Sequence, residues 1–164
     1  GLQGGPLMHV IAAKAVAFKE ALQDDFKIYG QNVIKNCQTL GETLVTRGYE
    51  LFTGGTDCHL LLVDLRKQGL TGKAAEASME KAGLTCNKNT IPFDTQKPFI
   101  TSGIRLGTAA GTTRGIRTEE WRTTANTTAD VLDSLQAGNN EPVEAEVFER
   151  VKALCKNFPI YNCE

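Results

Sequence analysis

Tyr49-Glu50-Leu51-Phe52-Thr53-Gly54-Gly55-Thr56-Asp57-Cys58-His59-Leu60-Leu61-Leu62-Val63-Asp64-Leu65 is the stretch on which the chain changes period. Residues 49–53 and 59–65 read as strands, because β-branched and aromatic residues alternate or cluster in runs bounded by turn formers. The Gly54-Gly55-Thr56-Asp57 turn joins them. Leu60-Leu61-Leu62-Val63 is continuously apolar, which predicts a strand covered on both faces.

Upstream of this pair the apolar residues recur every three or four positions. Pro6 suits a first helical turn, where its missing N–H breaks no bond. Leu7, Ile11, Phe18 and Leu22 follow at helical spacing, and so do Phe26, Tyr29, Val33, Cys37, Leu40 and Leu44. Gly48 supplies the C-terminal stop. Two long helices therefore precede the strands.

Downstream, Thr71 can cap a helix that runs to about Ala82 and ends at Gly83. A short strand is expected over 84–87 and another over 104–107. Between them, residues 88–102 hold Pro92 and Pro98 and show no regular period. Long ordered loops of this kind often carry function. Thr118 with Glu119 and Glu120 opens a further helix, since acids favour a first turn. Trp121, Ala125, Leu132 and Leu135 mark its buried stripe, although threonines make it a poor intrinsic helix. Gly138-Asn139-Asn140-Glu141-Pro142 reads as a loop, and Val147, Val151, Leu154 and Phe158 define a last helix. The order predicts an α+β fold: a small, largely antiparallel sheet with helices packed on one side.

At 164 residues the chain can bury a core of its own, and its net charge of −1 offers no electrostatic footprint for nucleic acid. No apolar run approaches the roughly 18 residues of a membrane span, and no export leader is read at the start. The five cysteines, Cys37, Cys58, Cys86, Cys155 and Cys163, form no C-x-x-C spacing. Neither a disulfide framework nor a metal site is expected. Reduced thiols fit a cytoplasmic setting. The opening Gly1-Leu2-Gln3-Gly4-Gly5-Pro6 reads as a cut inside a longer protein.

Two stretches ask for more than a structural reading. Gln3-Gly4-Gly5-Pro6 stands before a helix, where glycines admit close backbone approach and free amides suit a phosphate. Taken by itself, the tetrapeptide reads first as a plain turn before a helix. In Thr101-Ser102-Gly103-Ile104-Arg105-Leu106-Gly107-Thr108 an arginine interrupts a short apolar strand. It must face solvent, meet a buried carboxylate, or wait for an anion, and its planar fork suits a carboxylate.

Together with these, Gly1 to Ala17 (GLQGGPLMHVIAAKAVA), Gly54-Gly55-Thr56-Asp57, Leu61-Val63-Asp64-Leu65 and Asn87-Lys88-Asn89-Thr90-Ile91-Pro92 stand in the same order as segments of the serine hydroxymethyltransferases. The chain resembles the C-terminal portion of that family over nearly its whole length, at least to about residue 135. The resemblance implies a fold-type I pyridoxal-phosphate enzyme that interconverts serine and glycine with tetrahydrofolate as one-carbon carrier, working as a homo-oligomer. It implies that residues 1–30 end a large domain and form the connecting helix, and that 31–164 form the C-terminal small domain. By matched position, Arg105 is the arginine that holds the substrate carboxylate. Gly4 and Gly5 reach the cofactor phosphate of the partner subunit. Asn89, Gln96, Lys97 and Pro98 belong to the folate pocket.

The family binds its cofactor through a lysine that follows a threonine-rich run ending in histidine, and no T-T-T-H-K stretch occurs here. The expectation is that no catalytic residue lies in this chain and that it is inactive alone. Lys14, Lys73 and Lys88 read as solvated or paired, and His9 as a packing or surface residue. Asp57-Cys58-His59 reads as a turn entering a strand, and Cys163 as an exposed spectator. Two rival readings stand beside this one. The chain could be a non-catalytic module that binds an anion at Arg105 or pairs with a full-length enzyme. It could also come from a related enzyme such as a threonine aldolase, which would not need the Asn87 to Pro92 segment for folate.

Overall fold

A computed structural model describes residues 1–161, so Cys163 lies outside the described residues. The chain forms α1 (Met8–Ala21), α2 (Asp24–Thr46), β1 (Glu50–Leu51), β2 (Leu60–Asp64), α3 (Gly72–Lys81), β3 (Asn87–Asn89), β4 (Gly103–Gly107), α4 (Ala109–Thr113), α5 (Thr118–Gln136) and α6 (Asn140–Lys156). The strands lie in the order β1-β2-β4-β3, each pair antiparallel. The expected α+β architecture is what forms.

Alternation along the strands separates two faces. Leu51, Leu61, Val63, Ile104 and Leu106 point into a core with Leu40 and Leu44 of α2, Met79 of α3 and Leu132 of α5. The opposite face carries Leu60, Leu62, Arg105 and Gly107, all half-buried or exposed. The apolar run 60–63 is therefore covered on one face within this chain and only half-covered on the other, where the sequence predicted cover on both.

The core begins at Val33, partway along α2. α1 has no buried residue although its apolar side chains outnumber the charged Lys14, Lys19 and Glu20. Leu7, Met8, Val16 and Phe18 all stand exposed.

Other boundaries move for local reasons. The strand expected over 49–53 keeps only Glu50 and Leu51 in the ladder. The strand expected over 84–87 shifts to Asn87–Asn89, where pairing with β4 is available. α4 is absent from the sequence reading because Ala-Ala-Gly-Thr-Thr is too short and too rich in poor helix formers to signal one. α6 starts at Asn140, so Asn140-Glu141-Pro142 are its first turn rather than loop. Pro142 is tolerated there because the first-turn amides have no intrahelical acceptor. In α5 the hydroxyls of Thr123, Thr124 and Thr127 donate back to the carbonyls of Glu119, Glu120 and Thr123, which satisfies them within the helix.

Two polar clasps fix the helices. Arg47 at the end of α2 donates to Asp130 and Asp133 of α5 at 2.9 and 2.8 Å. Buried Glu144 of α6 accepts from the Ser78 hydroxyl of α3 at 2.6 Å.

The tightest approach lies where α3 begins. Gly72 N–H donates to the Thr101 carbonyl and Lys73 N–H to the Ile100 carbonyl, both at 2.9 Å. Ala74 N–H donates to the Thr71 hydroxyl at 3.2 Å. Thr101 itself is buried in the left-handed region at φ 59°, a conformation costly for a β-branched residue. A Cβ at Gly72 would collide with the Thr101 hydroxyl and the Gly103 carbonyl. Gly72→Ala is expected to destabilise the chain by about 2 kcal/mol or more, the scale of an overpacked core site. A urea unfolding midpoint unchanged from the parent would refute the close approach.

Candidate functional site

The exposed sheet face gathers the residues singled out in the sequence. Arg105, central in β4, pairs in register with Asn87 of β3 on one side and Leu62 of β2 on the other. Partners in a ladder project to the same face, so Asn87, Arg105 and Leu62 form a row across the sheet. The Arg105 side chain is exposed. Its one hydrogen bond among the described residues runs from Nη2 to Asn87 Oδ1 at 3.5 Å. Of the three fates open to this arginine, a buried carboxylate partner is not the one adopted within the chain.

Asn89 lies two residues beyond Asn87, hence on the same face, and is half-buried with its Nδ2 donating to the Thr90 carbonyl at 2.7 Å. Gln96, Lys97 and Pro98 stand exposed on the loop between β3 and β4. That loop leaves and re-enters the sheet at the Asn89–Gly103 end, so these residues share one rim. The segment expected to be irregular over 88–102 is irregular from Thr90 onward, with Lys88 and Asn89 in β3.

One carboxylate organises this loop. Asp94 Oδ1 accepts from Gln96 N–H and the Ser102 hydroxyl at 2.9 and 2.7 Å. Oδ2 accepts from the amides of Ser102 and Ile91 at 2.9 and 3.3 Å. Burial alone would raise the acid's pKa, but the Ser102 hydroxyl and the three amides outweigh it and hold Asp94 down at about 2. Ile91 packs over Gly103, where any Cβ would strike its side chain and the Val63 carbonyl. The sequence reading missed Asp94. The Asp-x-Gln spacing, with the carboxylate bonding the amide two residues on, was its one local signal. Phe93 and Phe99 project from the same loop almost fully exposed.

The neighbouring acids are engaged elsewhere. Asp64, on the same face, is bonded by Arg66 through Nε and Nη2, which holds its carboxyl below the usual range. Glu76 of α3 accepts from Lys88 Nζ at 2.7 Å and from its amide at 2.9 Å, and is likewise lowered. Lys88 is thus paired, while Lys14, Lys73 and His9 are exposed. Asp57-Cys58-His59 is a bend ahead of β2, with the Cys58 thiol directed to the Leu60 carbonyl at 3.5 Å. Burial raises the thiols of Cys37 and Cys86, the latter to about 12, which makes both poor nucleophiles.

Gly4 and Gly5 sit apart from this face. A Cβ at either would meet nothing within 4 Å, and no side chain caps α1 behind them. The backbone ahead of this uncapped helix is therefore open to close approach.

The Asp94 bonds give a pH dependence of definite sign. A carboxyl lowered in the folded state stabilises it above the ordinary pKa and loses that effect as pH falls from about 4 towards about 2. Asp94→Asn is expected to cost about 1–2 kcal/mol at pH 7, the scale of lost bonds to a charged group. In urea titrations from pH 7 to 2.5, the gap between parent and variant should close as acid is added. A gap independent of pH would mean that the carboxylate charge does not hold the loop.

The family model described as serine hydroxymethyltransferase matches residues 1–128. A serine hydroxymethyltransferase of Paramagnetospirillum magneticum is 58% identical over 163 residues, covering 98% of this chain and 38% of that protein. One from Methylobacterium radiotolerans is 58% identical over 164 residues, with the same coverage of each. One from a Wolbachia of Drosophila simulans is 56% identical over 161 residues, again 98% and 38%. The chain spans under two-fifths of the length of the curated relatives it matches. With the model covering most of its residues and the carboxylate-suited arginine on an open sheet face, the chain belongs to the serine hydroxymethyltransferase family.

Proposed function

We propose that this chain is the C-terminal part of an enzyme that interconverts serine and glycine and passes a one-carbon unit to or from tetrahydrofolate. The observation that carries the reading is Arg105, exposed on an open sheet face and held only by the neutral Asn87. It occupies the position that the resemblance assigns to the substrate-carboxylate arginine. Two parallel hydrogen bonds from its fork to a carboxylate would fix the amino acid's orientation and so select which Cα bond is broken. Pyridoxal phosphate, when bound, supplies the electron sink for that bond.

In this reading Gly4 and Gly5 lend backbone to the phosphate in a neighbouring subunit. Asn89, Gln96, Lys97 and Pro98 flank the folate at the rim set by Asp94. Residues 1–30 join a large domain to the small domain of 31–164, a division supported by the core beginning at Val33. In this reading the lysine that anchors the cofactor is supplied from outside this chain, and the chain alone is inactive. No helix is long and apolar enough to cross a membrane among the described residues. The setting we assign is the cytoplasm, where thiols such as those of Cys37, Cys58, Cys86 and Cys155 are kept reduced.

α1 supports a homo-oligomer. A helix this rich in apolar side chains ordinarily buries part of its surface, yet it buries nothing in this chain. The chain is expected to self-associate, and Phe18→Glu with Ile11→Glu to weaken that association. Sedimentation velocity across a hundredfold concentration range measures it. A strict monomer at every concentration would count against an interface at α1.

The central experiment joins this chain to the upstream part of the Paramagnetospirillum relative and assays serine turnover. Arg105→Ala should lower kcat/KM for serine at least about 100-fold, because two charge-assisted bonds are lost at roughly 1.5–3 kcal/mol for one. Arg105→Lys should recover only part, since a point charge lacks the planar fork. The chain by itself should show no turnover. Intact turnover in Arg105→Ala would make the arginine structural and remove the basis of the assignment.

A further inference from the structure

Arg105 is long, exposed and mid-strand, and a free side chain of that kind samples many rotamers. A carboxylate is gripped bidentately only when the guanidinium plane is already aimed, so whatever aims it contributes to substrate binding without touching substrate. The ladder names the candidate. Asn87 is the direct register partner of Arg105, and its Oδ1 accepts from Nη2 at 3.5 Å. On the other flank stands Leu62, which offers no acceptor.

The charges nearby are arranged consistently with this. Asp64 on the same face is taken by Arg66, and Glu76 beside β3 is taken by Lys88. No described carboxylate lies within ion-pair distance of Arg105, and the one group that touches it is an uncharged amide. A neutral acceptor orients the fork and leaves its charge for an incoming anion. A carboxylate at the same place would satisfy the charge and compete with substrate. At 3.5 Å the contact is longer than an ordinary N–H···O bond.

We propose that Asn87 is a positioning residue for the substrate carboxylate, holding one edge of the Arg105 guanidinium so that the other is presented to the amino acid. This rests on the assignment of Arg105 to the carboxylate given above.

The test uses the same full-length enzyme carrying this chain, with Asn87→Ala, Asn87→Ser and Asn87→Asp, and separates KM from kcat for serine. Asn87 is exposed, so all three variants should fold with urea midpoints close to the parent. Asn87→Ala and Asn87→Ser should raise KM about threefold, with kcat nearly unchanged, the pattern of weakened ground-state binding. Asn87→Asp should raise KM about tenfold or more, because its carboxylate pairs with Arg105 and must be displaced. A merely structural role predicts the opposite order, since aspartate keeps the size and the acceptor of asparagine while alanine loses both.

An Asp variant milder than the Ala variant overturns the inference, and so do KM values unchanged in all three. If Arg105→Ala raises KM while every Asn87 variant leaves it alone, only the role of Asn87 fails. If Arg105→Ala also leaves KM alone, the assignment beneath it has failed.

Discussion

The amides of Gly72 and Lys73, donating to the carbonyls of Thr101 and Ile100, tie the start of α3 to the residues that enter β4. Everything at the exposed face depends on that junction. It satisfies first-turn donors that a buried helix end cannot leave unpaired, and it requires a glycine on one side and a left-handed threonine on the other. With Thr101 turned this way, Ser102 can bond Asp94 and also accept from Leu65 N–H at 2.9 Å, which extends the β2–β4 ladder by one step. Gly103 then lies flat under Ile91, and the alternation that follows sends Ile104 inward and Arg105 outward. A one-residue slip here would bury the guanidinium and expose the isoleucine.

Asp94 does for the loop what the junction does for the strand. Twelve residues from Thr90 to Thr101 have no ladder to hold them, and four hydrogen bonds converge on one carboxylate instead. Because three of the donors are backbone amides, the constraint acts on chain path rather than on side-chain position. Gln96, Lys97 and Pro98 are left free to face outward on a rim of fixed shape. Phe93 and Phe99, almost fully exposed on the same rim, are apolar surface that the chain itself does not cover.

Elements with strong periodicity or clear punctuation were legible in the sequence. α2 stops ahead of Gly48 at φ 91°, and α3 begins after Thr71 and stops before Gly83 at φ 76°, each where a cap or left-handed glycine was expected. The pieces that escaped are those whose conformation is imposed from a distance. β3 forms at Asn87–Asn89 because β4 is there to pair with it, and α4 packs Gly111 against Trp121, a contact no local pattern announces. The oddity of Arg105 was visible as an arginine within an apolar run. Its neighbour was not, since Asn87 and Arg105 are eighteen residues apart and meet only through strand register. The apolar run 60–63 misled in a productive way: it asked for cover on two faces, and this chain supplies one.

Two arginines with contrasting partners support the proposal that this face binds a ligand. Arg66 folds back on Asp64, donating through Nε and Nη2 to both carboxylate oxygens at 2.6 to 3.1 Å, and its charge is satisfied inside the chain. Arg105, on the same face and with Asp64 only two ladder steps away, meets an amide instead. Had the chain needed only to solubilise that surface, a lysine or an Arg–Asp pair would have done so without placing a bare fork between a leucine and an asparagine. Ordering a guanidinium costs side-chain entropy that an exposed arginine contacting one neutral oxygen does not recover. A planar carboxylate, the partner proposed above, would offset that cost by completing the fork. The half-covered leucines beside it extend the same logic to the rest of the face: Leu60 and Leu62 bring apolar walls, Arg105 the charge, and Asn87 and Asn89 the neutral polar edge.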